Sequence, residues 1–326
     1  MNRGLLQLEE KRGAMIKYIL KRLLWLIPIL IGVSILIFAI TYFTEGDPAR
    51  IMMGSNATPQ QLEAAREEMG LNKPFVEQYF DYMTGVVFRL DLGTSYISKK
   101  PVINEIASRA PYTVRVAFIS LLLSIIIGIP LGMIAATHQY SWKDNLSMLV
   151  SMIFVSMPNF WVALMLTIFF SLKLKLLPAV GVANWKCYIM PCFAVCLAGA
   201  ANFARQTRSS MLEVIRQDYI VTARAKGVKE NVVICKHAMK NALIPVITVI
   251  GNRVGHMLSG ALIAETVFSI PGMGTYILTA INNRDYPVIR GTALVICLWF
   301  SLCMLLVDIV FAAVDPRIRS QFAKKR

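Results

Sequence analysis

The sequence predicts an all-α polytopic membrane protein with six transmembrane helices. Three observations carry that prediction. Of the 326 residues, 56% are apolar and only 16% charged, whereas a soluble globular domain carries roughly a quarter charged residues. Uncharged runs recur along the chain, several of them near the roughly 20 residues needed to cross the hydrocarbon core. Lys and Arg gather in alternate segments between the runs, which is the pattern that orients membrane helices. The mean hydropathy of +0.57 agrees. The net charge of +15 therefore argues for membrane orientation rather than nucleic-acid binding, and no zinc-finger spacing or aromatic-basic groove is present. Cys192, Cys196, Cys297 and Cys303 lie inside apolar runs and Cys235 in a polar stretch. The cysteines read as small apolar residues, not as a disulfide framework.

Residues 1–22 form a basic head, expected in the cytoplasm, and residues 23–43 the first span. A signal peptide is the rival reading, but the apolar run is too long for an h-region and no small-residue cleavage pattern follows it. Pro28 either kinks this helix or sits in its first turns. Residues 44–111 hold nine acids and seven Lys/Arg, so they lack a basic excess and are placed outside as an extracytoplasmic insert. Within it Thr58, Pro59 and Gln61 read as a capping box that starts a helix running to Met69 and stopping at Gly70. A second short helix is expected from Pro74 to Met83.

The core, residues 112–314, is expected to hold five more spans. The second, about 116–136, is interrupted by the GIPLG at Gly128. The third lies within 146–172, where Pro158 calls for a tilt or a kink. The fourth, 187–204, is rich in Ala and Gly and suited to close helix packing. The fifth is 241–264 and the last 291–314, with residues 315–326 as a cytoplasmic tail. On this topology the head, the long inner loop 205–240 and the tail carry 6, 8 and 5 of the 34 Lys/Arg.

The inner loop is too patterned for a linker. Tyr219, Ile220, Ala223 and Gly227 fall near helical spacing, and a second amphipathic stretch covers 229–239. The expectation is two short helices around a glycine corner. Small residues at Ala223, Ala225 and Gly227 would let another protein approach closely. The alternatives are a membrane-surface helix pair or a solvated basic loop. In the fifth span Asn252, Arg253 and His256 form a polar interruption. Ionisable groups at that depth face a protein interior or a water-filled path, so these three are candidate path residues, with a structural helix–helix contact as the other reading.

No catalytic apparatus is visible. There is no GxxxxGK[ST] phosphate loop, so any nucleotide that drives this protein must be hydrolysed by another chain. His138, His237 and His256 do not cluster with acids at metal spacing, and neither HExxH nor GxSxG occurs. No cofactor is expected.

These residues bring a family into view. The chain resembles the permease subunits of bacterial ATP-binding cassette importers of the dipeptide, oligopeptide and nickel group, from about Met15 to Arg319. The resemblance runs through YILKR at Tyr18, GDPA at Gly46, MGLNKP at Met69, DLGTS at Asp91, GIPLG at Gly128 and SMP at Ser156. Its most specific pieces are TARAKG at Thr222, AETVFSIPGMG at Ala264, RDYP at Arg284 and VDIVFAAVDPRIR at Val307. The family's cytoplasmic loop pattern, EAA, three residues, then Gly, is matched at Ala223 and Gly227, while Thr222 and Val221 depart from it. The resemblance implies the type I importer permease fold, in the bacterial cytoplasmic membrane. It implies a coupling loop including Tyr219, Thr222, Ala223, Ala225, Gly227 and His237. It implies as partners a second, homologous permease subunit, two ATPase subunits and an extracytoplasmic solute-binding protein. The cargo expected is di- or oligopeptides, with nickel as the alternative inside the group. A secondary transporter, which would need inverted repeats or ion-coordinating broken helices, is the alternative outside it.

Overall fold

A computed structural model describes residues 2–44, 46–54 and 56–314, with side chains at all of these except 2–18, 255–260 and 310–314. The expected all-α architecture is found, and no strand occurs among the described residues. Among the described residues five helices are long and apolar enough to cross a membrane, and a bent helix pair makes six if it forms one span. The chain divides into two compact units. One is built mainly from Val114–Ile270, the other from Leu20–Thr113 and Pro271–Leu302.

The second unit begins with the apolar part of α1 (Asn2–Phe43), in which Pro28 is accommodated without a break. The basic head is thus continuous with the first span as one helix. Three short helices follow: α2 (Pro48–Met53), α3 (Pro59–Glu68) and α4 (Phe75–Arg89). The capping box is present: Gln61 N–H donates to Thr58 Oγ1 at 3.3 Å, and Thr58 N–H to Gln61 Oε1 at 2.9 Å. Two helix-start donors are satisfied that would otherwise be orphaned. Asp47 caps α2 and is gripped by Arg66 of α3 at 2.7 Å. Burial works against the charge on Asp47, but hydrogen bonds from Arg66 and the Ala49 amide hold its carboxyl below the usual value.

Helix α4 runs six residues past the expected end at Met83. Its Tyr79 and Tyr82 rings pack on Phe38 of α1, so tertiary contact carries the helix through Gly85 despite that residue's poor propensity. Leu90, with φ of +52°, ends it. The same unit is closed by α12 (Met273–Asn282) and the outer turns of α13 (Tyr286–Val314). Leu92, Val102, Ile106, Met273, Ala280 and Val288 form its core. The buried carboxylate of Asp285 accepts from the Ser95 hydroxyl and from the Tyr96 amide. Burial pushes the Tyr96 phenol up to about 12, with Arg290 opposing, so it is neutral and a donor at physiological pH.

The first unit is organised around α8 (Ile189–Ile215), which packs against α6, α7 and α11. Helix α5 (Val102–Thr137) corrects the expected second span twice. It begins inside the segment read as insert, and GIPLG does not interrupt it. The glycines serve contact instead. A Cβ on Gly128 would strike the Ala200 carbonyl and Phe203, and one on Gly132 the Ala204 carbonyl and Thr207. Small residues allow this backbone approach, which is the main source of helix association where no hydrophobic force acts between helices. Ser124 Oγ adds a hydrogen bond to the Cys196 carbonyl at 3.0 Å.

The expected kink at Pro158 is a break of 102° between α6 (Trp142–Ser156) and α7 (Asn159–Leu166), which continues as a π-helix over Thr167–Lys173. Pro158 disfavours helical backbone at the residue before it, and Met157 is extended, with ψ of 128°. The fifth span, α11, covers Met239–Val267. Glu265 near its end is fully buried rather than water-facing.

Gly132→Val is expected to destabilise the purified protein by ~1–3 kcal/mol through overpacking. Gly32→Val on α1, where an added Cβ meets nothing within 4 Å, should change little. Equal thermal unfolding temperatures for the two variants in detergent would refute the glycine contact.

Candidate functional site

The segment read as inner loop 205–240 is mostly helical. Helix α8 continues through its first eleven residues, then α9 (Asp218–Ala225) turns back across the end of the unit. Its placement depends on Ile220. This side chain is fully buried in a cluster with Ala136 of α5, Met211 of α8, Val233, Ala238 and Ala242. One short helix is thereby tied to three longer ones.

The glycine corner has a definite geometry. Gly227 N–H donates to the Arg224 carbonyl at 2.9 Å, and Val228 N–H to the Ala223 carbonyl at 3.3 Å. With Lys226 as the C-cap residue these are the two bonds of a Schellman motif. Gly227 has φ of +74°, the left-handed conformation that costs other residues roughly 1–2 kcal/mol. An added Cβ would meet nothing within 4 Å. Within this chain the corner needs glycine for its backbone angle, not for space. Arg224 reaches over the corner to Glu230, with hydrogen bonds of 2.7 and 3.0 Å.

The second loop helix expected over 229–239 is not a separate helix. A single turn, α10 (Glu230–Val232), passes into a π-helix over Val233–Ala238 and then directly into α11. No helix breaker lies between Lys229 and Pro245, so nothing ends the run. The corner therefore joins α9 to the start of a spanning helix.

Of the residues expected in the coupling loop, Tyr219, Thr222 and Ala225 lie exposed on α9, and Gly227 is exposed at the corner. Ala223 is half-buried against the Ile220 cluster. Asn241 Nδ2 donates to Tyr219 Oη at 2.7 Å. Val221, 56% exposed, gives α9 an apolar outward residue. His237 and Cys235 lie exposed on the π-helix. Of the three candidate path residues, two have described side chains. Asn252 is exposed and Arg253 half-buried, while the side chain of His256 falls outside the described residues. The Arg253 Nε is buried without a hydrogen-bond partner among the described residues.

One ion pair was missed by sequence reasoning. Asp144, 2% exposed, is held by Arg208 through hydrogen bonds of 2.6 and 2.7 Å. It also accepts from the Tyr140 amide at 3.0 Å. This fork locks the start of α6 to α8 close to α9. An acid in the first turn of α6 was the available signal, but its partner lies 64 residues away.

Comparison with known proteins places this geometry. Residues 128–320 match the family model described as binding-protein-dependent transport system inner membrane component, and residues 15–117 match the N-terminal model of the same system. The chain is 43% identical to the dipeptide transport system permease protein DppB of Alkalihalophilus pseudofirmus, over 94% of this chain and all of that one. It is 41% identical to the glutathione transport system permease protein GsiC of Escherichia coli K12, over 94% of this chain and 99% of that one. Among solved structures, the inward-facing MetNI methionine ABC transporter matches with a TM-score of 0.54 at 15% identity, over 65% of this chain and 97% of that one. That likeness concerns the fold.

Removing one member of the Asp144–Arg208 pair strands the other in a mostly dry site. Asp144→Ala is expected to cost up to ~3 kcal/mol, and the double variant with Arg208→Ala less than the sum of the two singles. Strict additivity in thermal unfolding of the purified permease would show that the fork carries no coupling.

Proposed function

The chain belongs to the binding-protein-dependent transport system inner membrane component family and is a multi-pass inner-membrane protein; from that premise we propose that it is the permease subunit of an ATP-driven importer of di- or oligopeptides. It forms half of the translocation path, and a second, homologous permease subunit forms the other half. Two separate ATPase subunits dock on the inner side, and an extracytoplasmic solute-binding protein delivers the cargo. Both termini and residues 205–240 face the cytoplasm, and the short helices α2 to α4 face outward.

The observation that carries the coupling assignment is the mounting of α9. Its outer face is free to meet another protein, while Ile220 anchors it into α5, α8 and the start of α11. A displacement of α9 by closing ATPases is passed to three membrane helices at once. Transport also requires that the ATPases contact the inward and outward states unequally, since binding both alike shifts neither. The peptide assignment rests on the dipeptide and glutathione relatives, glutathione being itself a tripeptide.

The corner provides the test. Asn tolerates left-handed backbone where Ala does not. Gly227→Ala should destabilise the corner by ~1–2 kcal/mol, and Gly227→Asn by less. Gly227→Asp adds a charge that a docked ATPase would bury unpaired. It should abolish ATPase co-purification and substrate-stimulated ATP hydrolysis at matched permease levels. If the ATPase surface closes on the corner, Gly227→Asn also loses coupling while retaining stability. Wild-type values of both readouts for the Asp variant would end the coupling assignment.

Arg253 lines the path in this reading. Arg253→Gln is expected to lower peptide uptake into vesicles at least several-fold while the complex still assembles. Normal uptake across substrate concentrations would remove the path role, and failed assembly would make the residue structural. Running the same vesicles with nickel and the cognate binding protein decides the cargo class.

A further inference from the structure

The unit made from Leu20–Thr113 and Pro271–Leu302 encloses a polar cavity of about 450 Å3, whose wall includes Thr41, Asp47, Arg66, Tyr96, Tyr286 and Arg290. Two cations and one acid stand in that wall. The acid is already engaged, because Arg66 holds Asp47 with hydrogen bonds of 2.7 and 3.2 Å and the Ala49 amide adds another. Arg290 is the charge left over. Its Nε donates to Thr41 Oγ1 at 2.6 Å, and its guanidinium lies 3.9 Å from the Phe38 ring centroid. It pairs with no carboxylate among the described residues. Its electrostatic neighbours are instead the phenols of Tyr96, Tyr82 and Tyr286. The two terminal nitrogens, with four of the five guanidinium donors, make no further hydrogen bond among the described residues.

A second, independent feature points the same way. Tyr286 is 4% exposed, and its hydroxyl is buried without a hydrogen-bond partner among the described residues. Buried hydroxyls almost always have one. Beside it, Gly46 has φ of +138°, and a Cβ there would collide with Arg284 and come within 3.4 Å of the Tyr286 hydroxyl. The missing side chain keeps this part of the wall open. An unpaired guanidinium fork and an orphaned phenol thus share one cavity of small-ligand size. A carboxylate fits both, since its two oxygens take the parallel donors of the fork and keep a lone pair for the hydroxyl.

We propose that this cavity is a carboxylate site, which holds the C-terminal carboxylate of a short peptide between Arg290 and Tyr286. The carboxylate follows from the wall alone; the peptide rests on the importer reading above. Cargo leaving a binding protein would be gripped here by its charged end.

The experiment uses the full transporter complex in nanodiscs without binding protein, and saturation-transfer NMR with three probes: dialanine, dialanine amide and acetate. Dialanine should bind at least tenfold more tightly than its amide, and acetate should displace it. Arg290→Gln should erase that preference. Tyr286→Phe, which keeps the ring in place, should weaken dialanine about fivefold and decides the matter if the Arg290 variant does not fold. Equal binding of dialanine and its amide to the wild type, or an undiminished preference in Tyr286→Phe, overturns the proposal. Arg290-dependent acetate binding that dialanine does not compete with overturns the peptide occupant. The two readings fail separately. Peptide uptake by vesicles with no carboxylate preference defeats this inference and leaves the importer standing. Absence of peptide uptake defeats the importer, whatever acetate does.

Discussion

The close approach of α5 to α8 at Gly128 and Gly132 is the contact on which the membrane unit depends. Lipid tails are as apolar as leucine, so burial supplies no force to hold one spanning helix against another. What remains is packing between backbones, and packing of this kind needs the absence of side chains. Once α8 is seated on α5 it serves as the post for its neighbours α6, α7 and α11. The Asp144 fork and the pocket for Ile220 are both made partly from α8 residues, Arg208 and Met211. The placement of α9 therefore depends on two glycines within α5.

Much of this was legible in the chain. The apolar runs gave the crossings, the charge bias gave their expected orientation, and Thr58 with Gln61 gave a helix start that was found bond for bond. The glycine corner was also readable, since Gly227 interrupts a helical pattern. Where the reading failed, long-range contact had overruled local signals. The GIPLG looked like a break in α5, yet Gly128 and Gly132 serve the contact between α5 and α8. Helix α5 starts at Val102 because Val102 and Ile106 bury into a core with Leu92 and Met273, residues that no local pattern connects to them. Ala223 matches a motif position, and the fold adds that it is half-buried against Ile220. Periodicity assigns residues to a face but does not say which face is covered.

The site residues divide along the same line. Tyr219, Thr222 and Ala225 could be placed on an outward helix from spacing alone. Arg290 could not be singled out, because its importance lies in what is missing around it. An arginine in a sequence carries no mark of whether an acid waits for it. Only the fold brings Thr41, Phe38 and Tyr286 to its side, from positions about 250 residues apart or within one turn of it.

The π-helix over Val233–Ala238 has a consequence for angular phase. A π turn holds one residue more than an α turn, and each residue advances an α-helix by about 100°. A residue inserted into an unbroken α-helix would swing everything before it by roughly a quarter turn about the α11 axis. The wider turn takes up a surplus residue locally, so the segment before it keeps the angular phase at which Ile220 meets its pocket. Tolerance to a change of length is therefore built into the stretch that joins α9 to the start of α11.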